Sequence, residues 1–485
     1  MMKPKKLTVL YPDADSSVEI TGISTNSREC HDGSLFVCTR GATADRHEFI
    51  ADAVAHGAVA VVVSREVEDP GVPVVRVEDT NAELAALSRR FTDNPDEELS
   101  VIGVTGTDGK TSTATIIQAL MGDDRCGYIG TNGRSCRGLH GDNPNTTPAV
   151  DRLYPYFREF LDHGCDTVAM EASSEGFYFG RLDTVTFDIS VYTNITSEHM
   201  NVHRTFDNYF ACKMRLFEQT RTDGWCVLNH DDPHYHRVAE HCAGQVVSYG
   251  RHPDATLRIV RVELSIAGTA IDFDYRGHRF HVDSPLLGDF NVSNLAAAVL
   301  AVLCAGVPLD EALARIPAIA IPGRLDMIDT GSDYAVMVDY AHTPNGISQL
   351  LTFVAGLRPH RTIVVIGQAG ERDATKRSTV GEVVLDHADY AIFTAEDPRG
   401  EDPAAICADI VATRCDTHSN YEIVLDRRQA TRRAIDMAQS GDIVLILGKG
   451  AENYQKMSYG TIHYSDVEEA EAAIARRRER EVSSQ

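Results

Sequence analysis

From Leu99 onward the chain alternates short apolar runs with stretches of helical periodicity, and each run stops at a polar or glycine-rich turn. That alternation predicts strands followed by helices, as a largely parallel sheet requires. After Val101–Thr105 come apolar strands at Thr167–Met170, Ile189–Tyr192 and Trp225–Leu228, with a helical pattern over Thr113–Met121. A more β-rich excursion at Ala255–Val282 precedes a helix at Asn294–Cys304. Upstream, residues 1 to about 97 mix short strands with one helix, Phe49–His56, before the buried strand Ala58–Val63. Four more strand-helix repeats fill the carboxyl-terminal part, their turns lying at Asp339–His342, Gly367–Arg372, Thr394–Arg399 and Gly448–Glu452. Ligands of open α/β sheets bind at the carboxyl ends of strands, so four such turns predict a second binding surface. A charged helix end is expected over residues 476–485.

Breaks at Thr92–Glu98 and at Ile321-Pro-Gly323 divide the chain into three expected units, 1–98, 99–322 and 323–485. The fold class is therefore α/β, and 485 residues suffice for about three separate cores.

Charge narrows the partners. With 71 acidic against 46 basic residues the formal charge is −25, which repels a nucleic acid backbone. Eleven scattered cysteines without a Cys-x-x-Cys pair read as reduced thiols in a cytoplasmic protein. The longest apolar run, Leu295–Val307, is too short to span a bilayer, so no membrane insertion is expected. Nothing in the sequence requires more than a monomer.

The chemistry concentrates after the first central strand. Gly106-Thr-Asp-Gly-Lys-Thr-Ser112 is a glycine turn that opens a helix. Gly106 and Gly109 permit tight backbone geometry, and the N–H groups of Thr107, Asp108, Thr111 and Ser112 can face anionic oxygens. Lys110 supplies a mobile positive charge and Thr111 a hydroxyl for Mg²⁺. Such a turn alone can be an ordinary strand-to-helix connection; the strand before it and the helix after it make it a nucleotide phosphate site. Glu171, at the end of the Thr167–Met170 strand, can hold Mg²⁺ directly or through water. His199, past the end of the next strand, lies within reach of the same sheet edge.

The ordered set of motifs resembles the Mur ligase family, and within it the branch that adds a diamino acid to UDP-MurNAc-L-Ala-D-Glu. It comprises Thr25-Asn-Ser-Arg28, Gly103–Thr111, Asn145-Thr-Thr147, Glu171-Ala-Ser-Ser174 with Arg181, and Thr193–His199. Further on come Asn208–Lys213, Gly288-Asp-Phe-Asn291, Pro322-Gly-Arg324, Asp339–Pro344 and Gly448-Lys-Gly-Ala-Glu452. The resemblance implies a P-loop ATPase-like central domain with a parallel sheet, a Rossmann-like carboxyl-terminal domain and an amino-terminal domain for the UDP end. It implies an ADP-forming peptide synthetase of peptidoglycan precursor synthesis, serving cell wall biogenesis, cell shape and division, with ATP and Mg²⁺. Ser27 and Arg28 would lie near uridine; Asn145, Thr146, Thr147, Ser173 and Arg181 would hold the muramyl peptide. Asn291 would contact adenine, and Arg324, Asp339 and His342 would reach the nucleotide from the carboxyl-terminal side. Lys213 would be carbamylated (N6-carboxylysine), joining Thr111, Glu171 and His199 around the metal. Arg372, Asp397, Arg399, Gly448 and Glu452 would receive the diamino acid.

Departures from the family pattern leave the amino acid open. Asp108 stands where the family commonly has Asn, His203-Arg204-Thr205 replaces a His-Gly-Thr turn, and Ala451 replaces a His. The family's Asp-Asn-Pro-Arg reads Glu396-Asp-Pro-Arg399 here. Arg399 favours meso-diaminopimelate, whereas a negative Asp397 could attract the terminal ammonium of lysine or ornithine. A folylpolyglutamate synthetase-like ligase and a nucleotide-binding scaffold are the remaining alternatives.

Overall fold

The computed structural model describes residues 3–40 and 45–483. In the amino-terminal part four short parallel strands, β1 (Gly22–Ser24), β2 (Ser34–Val37), β3 (Ala58–Val63) and β4 (Val74–Arg76), pair in that order. Besides α1 (Ile50–Ala55), this part carries a second substantial helix, α2 (Thr80–Phe91), which the single expected helix left out. Its start is signed by Asp79, whose carboxylate accepts from the backbone N–H of Asn81 at 2.8 Å. The expected linker at Thr92–Glu98 holds a 3₁₀ turn at Pro95–Glu97, pinned by Arg89 Nε donating to Asp96 at 2.9 Å.

The central sheet has eleven strands. They are β5 (Ser100–Thr105), β6 (Cys126–Gly130), β7 (Gly133–Cys136), β8 (Leu139–Gly141), β9 (Thr167–Glu171), β10 (Phe187–Tyr192), β11 (Thr220–Asn229), β12 (Gln245–Gly250), β13 (Leu257–Ser265), β14 (Gly268–Tyr275) and β15 (His278–Ser284). Their order is β8-β7-β6-β9-β5-β10-β11-β12-β13-β14-β15, parallel from β6 through β13 with antiparallel arms at both edges. The β-rich excursion is thus one arm of this same sheet.

Both faces of β5 are buried, which explains its unbroken apolar run. Ile102 and Val104 join the core beneath α3 (Lys110–Met121) and α7 (Asp289–Cys304). Val101 packs on the opposite side with α4 (Val150–Asp162) and α6 (Phe206–Glu218). A short α5 (Ser174–Tyr178) follows β9. Register sets the site: Glu171 lies opposite Val104 and Tyr192 opposite Thr105, so β9, β5 and β10 end level.

The carboxyl-terminal sheet comprises β16 (Asp326–Ile328), β17 (Ala335–Asp339), β18 (Thr362–Ile366), β19 (Tyr390–Phe393), β20 (Tyr421–Ile423) and β21 (Ile443–Leu447), with a separate hairpin β22 (Tyr454–Met457) and β23 (Gly460–His463). The order is β16-β17-β21-β18-β19-β20, parallel except for β16. The four strands read in the sequence, β17, β21, β18 and β19, are consecutive neighbours, and Asp339 and Ile366 both pair with Leu447. Their turns therefore share one edge. Helix α8 (Pro344–Gly356) follows β17; α9 (Arg377–His387), α10 (Pro403–Val411), α11 (Arg427–Met437) and α12 (Asp466–Ser483) complete this part. No helix among the described residues is long and apolar enough to cross a membrane.

Candidate active site

The two sheet edges face each other across two joined chambers, one of about 700 Å³ and one of about 260 Å³. Lys110, Glu198, His199, Tyr340 and His342 line both.

The phosphate loop is shaped by close approach. A Cβ on Gly106 would fall 1.8 Å from Thr193 Oγ1, and Gly109 is left-handed at φ 84°, with Asn294 Oδ1 2.5 Å from where a Cβ would sit. Only glycine fits either place. Lys110 Nζ donates to the carbonyls of Gly106 and Thr107, both at 2.9 Å, curling over the loop. Burial lowers its pKa, against the attraction of Glu171 and Asp108. An arriving anion would favour the ammonium that burial disfavours. Thr107, Asp108, Gly109, Thr111 and Ser112 line the larger chamber; Gly106 stays behind them.

Glu171 is fully buried, and its Oε1 accepts from Tyr128 Oη and the Thr131 N–H, each at 2.8 Å. Oε2 takes only the Thr131 hydroxyl, at 3.3 Å, leaving acceptor capacity toward the chamber. His199 sits at a left-handed backbone position, φ 58°, with Nδ1 3.6 Å from Glu175 Oε1. Burial, then Lys110 and Lys213, push its imidazole down to about 3, so it is neutral and able to ligate. Lys213, on α6, is buried with Nζ 4.7 Å over the Tyr209 ring and donates to the Gly106 carbonyl at 2.5 Å. Burial and then the nearby Lys110 depress its amine far below the usual lysine value. Among the described residues no three His, Cys, Asp or Glu side chains gather as a self-sufficient metal cage. One carboxylate, one hydroxyl and one imidazole beside a phosphate loop nevertheless fit Mg²⁺, which completes its shell with phosphate and water oxygens.

From the other sheet, Arg324 lies 4.5 Å over the Tyr340 ring at the larger chamber. Asp339 accepts from the N–H groups of Leu325 (2.8 Å) and Ala341 (2.7 Å), while burial raises its pKa. His342 donates Nδ1–H to the Tyr340 carbonyl at 2.9 Å, and burial keeps the ring neutral. Asn291, expected at adenine, is not among the residues lining either chamber; its amide donates to the Leu287 carbonyl at 2.9 Å and accepts from Asn294 at 3.0 Å. Asn294, one helical turn on, faces the chamber instead, with Phe290 and Ser293.

The smaller chamber collects Asn145, Thr146, Ser173 and Arg181 from the central unit with Arg372, Asp397, Arg399, Gly448 and Glu452 from the carboxyl-terminal one. Thr147 does not reach it. Its hydroxyl is buried, donating to the Glu171 carbonyl at 2.8 Å, so Thr147 braces the end of β9. Arg181 donates to the Thr147 carbonyl at 2.9 Å. Asp397 has a cationic partner: Lys449 Nζ stands 2.9 Å from Asp397 Oδ1 and 2.7 Å from Glu452 Oε2, one ammonium shared by two carboxylates. The Arg399 guanidinium donates to the Gly370 carbonyl at 3.2 Å, and Arg372 is exposed without an ion pair among the described residues.

Ser27 and Arg28 lie outside both chambers, on a 3₁₀ turn at Ser27–Glu29. Thr25 donates to Asp151 at 3.3 Å and Arg152 pairs with Glu29 at 3.1 Å, stitching that turn to α4. Asp45 bonds His47 Nδ1 at 2.5 Å close by in the chain.

Three family models match consecutive stretches of the chain: "Mur ligase family, catalytic domain" over residues 19–92, "Mur ligase middle domain" over 104–302, and "Mur ligase, glutamate ligase domain" over 323–450. The chain belongs to the Mur ligase family. It is 37% identical over 465 residues to the UDP-N-acetylmuramoyl-L-alanyl-D-glutamate–2,6-diaminopimelate ligase of Bacillus licheniformis, covering 94% of this chain and 95% of the relative. The ligase of the same name from Geobacillus thermodenitrificans is 37% identical over 471 residues, covering 95% and 96%. A solved structure of a ligase with that name superposes with a TM-score of 0.66 at 29% identity, over 98% of this chain and 100% of the other. The MurF ligase of Thermotoga maritima in complex with ADP shares the fold, with a TM-score of 0.66 at 18% identity over 95% and 98% of the two chains.

Residues to which the motif reading gave no role also line the chambers. Lys376 reaches across from the segment before α9 to pair with Glu198 at 3.0 Å, between the two chambers. No local pattern marks it, because its partner lies in another unit. Glu396 lines the smaller chamber with a buried Oε2 that has no hydrogen-bond partner, and burial pushes its carboxyl up to about 7.

Proposed function

We propose that this Mur ligase uses ATP to join meso-diaminopimelate to UDP-N-acetylmuramoyl-L-alanyl-D-glutamate, forming ADP and phosphate in peptidoglycan precursor synthesis. One observation carries the choice of amino acid. Arg372 and Arg399 line the smaller chamber without a carboxylate partner among the described residues, while Asp397 and Glu452 share Lys449. Two unpaired guanidinium groups suit a substrate with two carboxylates; lysine and ornithine have one. The diaminopimelate ligases among the relatives support the same reading. The sheet edges also support units of 1–98 for the UDP end, 99–322 for ATP and 323–485 for the amino acid.

In this reading the γ-phosphoryl of ATP passes to the D-glutamyl side-chain carboxylate, giving an acyl phosphate and ADP. Lys110 and the loop N–H groups hold the phosphate charge during transfer. Asn294, Arg324 and Asp339 hold the adenosine end; Asn145, Thr146, Ser173 and Arg181 the muramyl peptide; Ser27 and Arg28 the uridine end. Mg²⁺ would be held by Thr111, Glu171 and His199 and, when bound, would supply electrophilic charge to the phosphate site. Lys213, whose charging burial opposes, would bond the carbon of carbon dioxide through its nitrogen, lose a proton and become a carbamate, an oxygen donor beside that site. Arg372 and Arg399 then orient diaminopimelate so that its free amine attacks the acyl carbon and phosphate leaves. Closing the two sheet edges keeps water from the acyl phosphate. Both chambers are built from one chain, which suits a monomer, and eleven free cysteines suit a reducing cytoplasm.

The test is phosphate release from ATP with UDP-MurNAc-dipeptide and diaminopimelate, lysine and ornithine in competition. Release that needs both the dipeptide and diaminopimelate supports the reading. Preference for lysine or ornithine rejects the amino acid, and binding of ATP without release rejects the ligase.

A further inference from the structure

Asp108 is fastened to both sides of the site. Its backbone belongs to the central sheet edge: the N–H donates to Asn194 Oδ1 at 3.0 Å, and the carbonyl accepts from Thr193 Oγ1 at 2.6 Å and Asn194 Nδ2 at 3.2 Å. Its carboxylate belongs to the other. Oδ1 accepts from the Thr343 hydroxyl at 3.2 Å and Oδ2 from Asn345 Nδ2 at 3.0 Å. Thr343 is the N-cap of the 13-residue α8, its hydroxyl also accepting from the Gly346 N–H at 3.0 Å. The carboxylate thus meets the positive end of that helix.

Helix α8 continues directly from the turn carrying Tyr340 and His342, which line both chambers. We propose that Asp108 is a positioning residue that locks the start of α8 to the phosphate loop, so that an ordered loop sets the carboxyl-terminal wall, Tyr340 and His342, that the two chambers share. A carboxylate suits this role because it accepts from two donors at once. An asparagine in one orientation offers one oxygen and must turn its NH₂ toward the other donor. The loop's own phosphate-binding groups are N–H donors and Lys110, so Asp108 acts through Thr343 and Asn345 rather than on the nucleotide.

The proposal rests on the ligase reading and is tested in the full chain by a double-mutant cycle of Asp108→Ala and Asn345→Ala, with melting curves as a fold control. Asn345→Ala is expected to raise KM for diaminopimelate about tenfold and to weaken ADP binding as well, with kcat reduced less than about twofold. Added to Asp108→Ala, it should cost nothing further in kcat/KM. Asp108→Asn should recover part of the loss. Additive losses, or an unchanged KM in Asn345→Ala, overturn the lock. Should Asp108→Ala not fold, the KM and ADP affinity of Asn345→Ala decide alone. Failure of the ligase reading looks different, since the unmodified protein would then release no phosphate with these substrates.

Discussion

Lys213 Nζ lies 2.5 Å from the carbonyl oxygen of Gly106, so a buried amine on α6 touches the first residue of the phosphate loop. Lys213→Ala should be nearly inactive, and a short carboxylic acid added in solution should restore part of the activity by supplying the missing oxygen ligand. Lys213→Met should be equally inactive yet melt no lower than the unmodified protein. It removes an amine whose charging is opposed by burial, and Lys110 still donates to the Gly106 carbonyl. A marked fall in its melting temperature would show that Lys213 is structural.

Lys110→Ala should lose at least about a hundredfold in kcat with its circular dichroism and melting curve preserved, since a positioned charge at a transferring phosphate contributes several kcal/mol. Near-normal turnover in a folded variant would reject the phosphate-site assignment.

His199 should hold no charge through the physiological range. Its folded pKa is lowered to about 3 from an ordinary 6.5, so below 6.5 the unfolded chain takes up a proton that the native protein refuses. The His199 contribution to stability is therefore lost as pH falls from 6.5 toward 3, and is flat above. Nuclear magnetic resonance of the labelled ring in the nucleotide-free protein should show no titration between about pH 8 and about pH 5. A midpoint near the ordinary value would contradict the neutral-ligand role.

Arg399→Ala should raise KM for diaminopimelate at least about tenfold, the cost of leaving a carboxylate without its charged partner. Asp397→Asn should keep the preference for diaminopimelate, because Lys449 retains Glu452 at 2.7 Å. Competition between diaminopimelate and lysine measures both. A switch to lysine in Asp397→Asn, or an unaffected KM in Arg399→Ala, would show that the chamber reads its amino acid by other groups.

The sequence by itself determined what is local. The apolar run of β5, the glycine turn and the pattern of α3 announce a phosphate site because a strand buried on both faces, a left-handed Gly109 and a helix start each leave a mark within a few residues. Glu171 was legible at its strand end, the family likeness added Lys213 and Arg399, and four strand ends predicted an edge that the register of β17, β21, β18 and β19 forms. What needed the tertiary structure were pairings between distant residues. Asn294 faces the nucleotide chamber while Asn291 folds back on its own helix, a choice set by the rotation of α7 over the sheet. Thr147 turns inward to brace β9, α2 is capped in a stretch expected to hold one helix, and Ser27 and Arg28 stand apart from both chambers. The charge of Asp397 could be read either way in the linear motif, and its ammonium partner, Lys449, lies 52 residues away. Electrostatic meaning depends on which charges lie within a few ångströms, and that distance is decided by the packing of whole sheets rather than by neighbours along the chain.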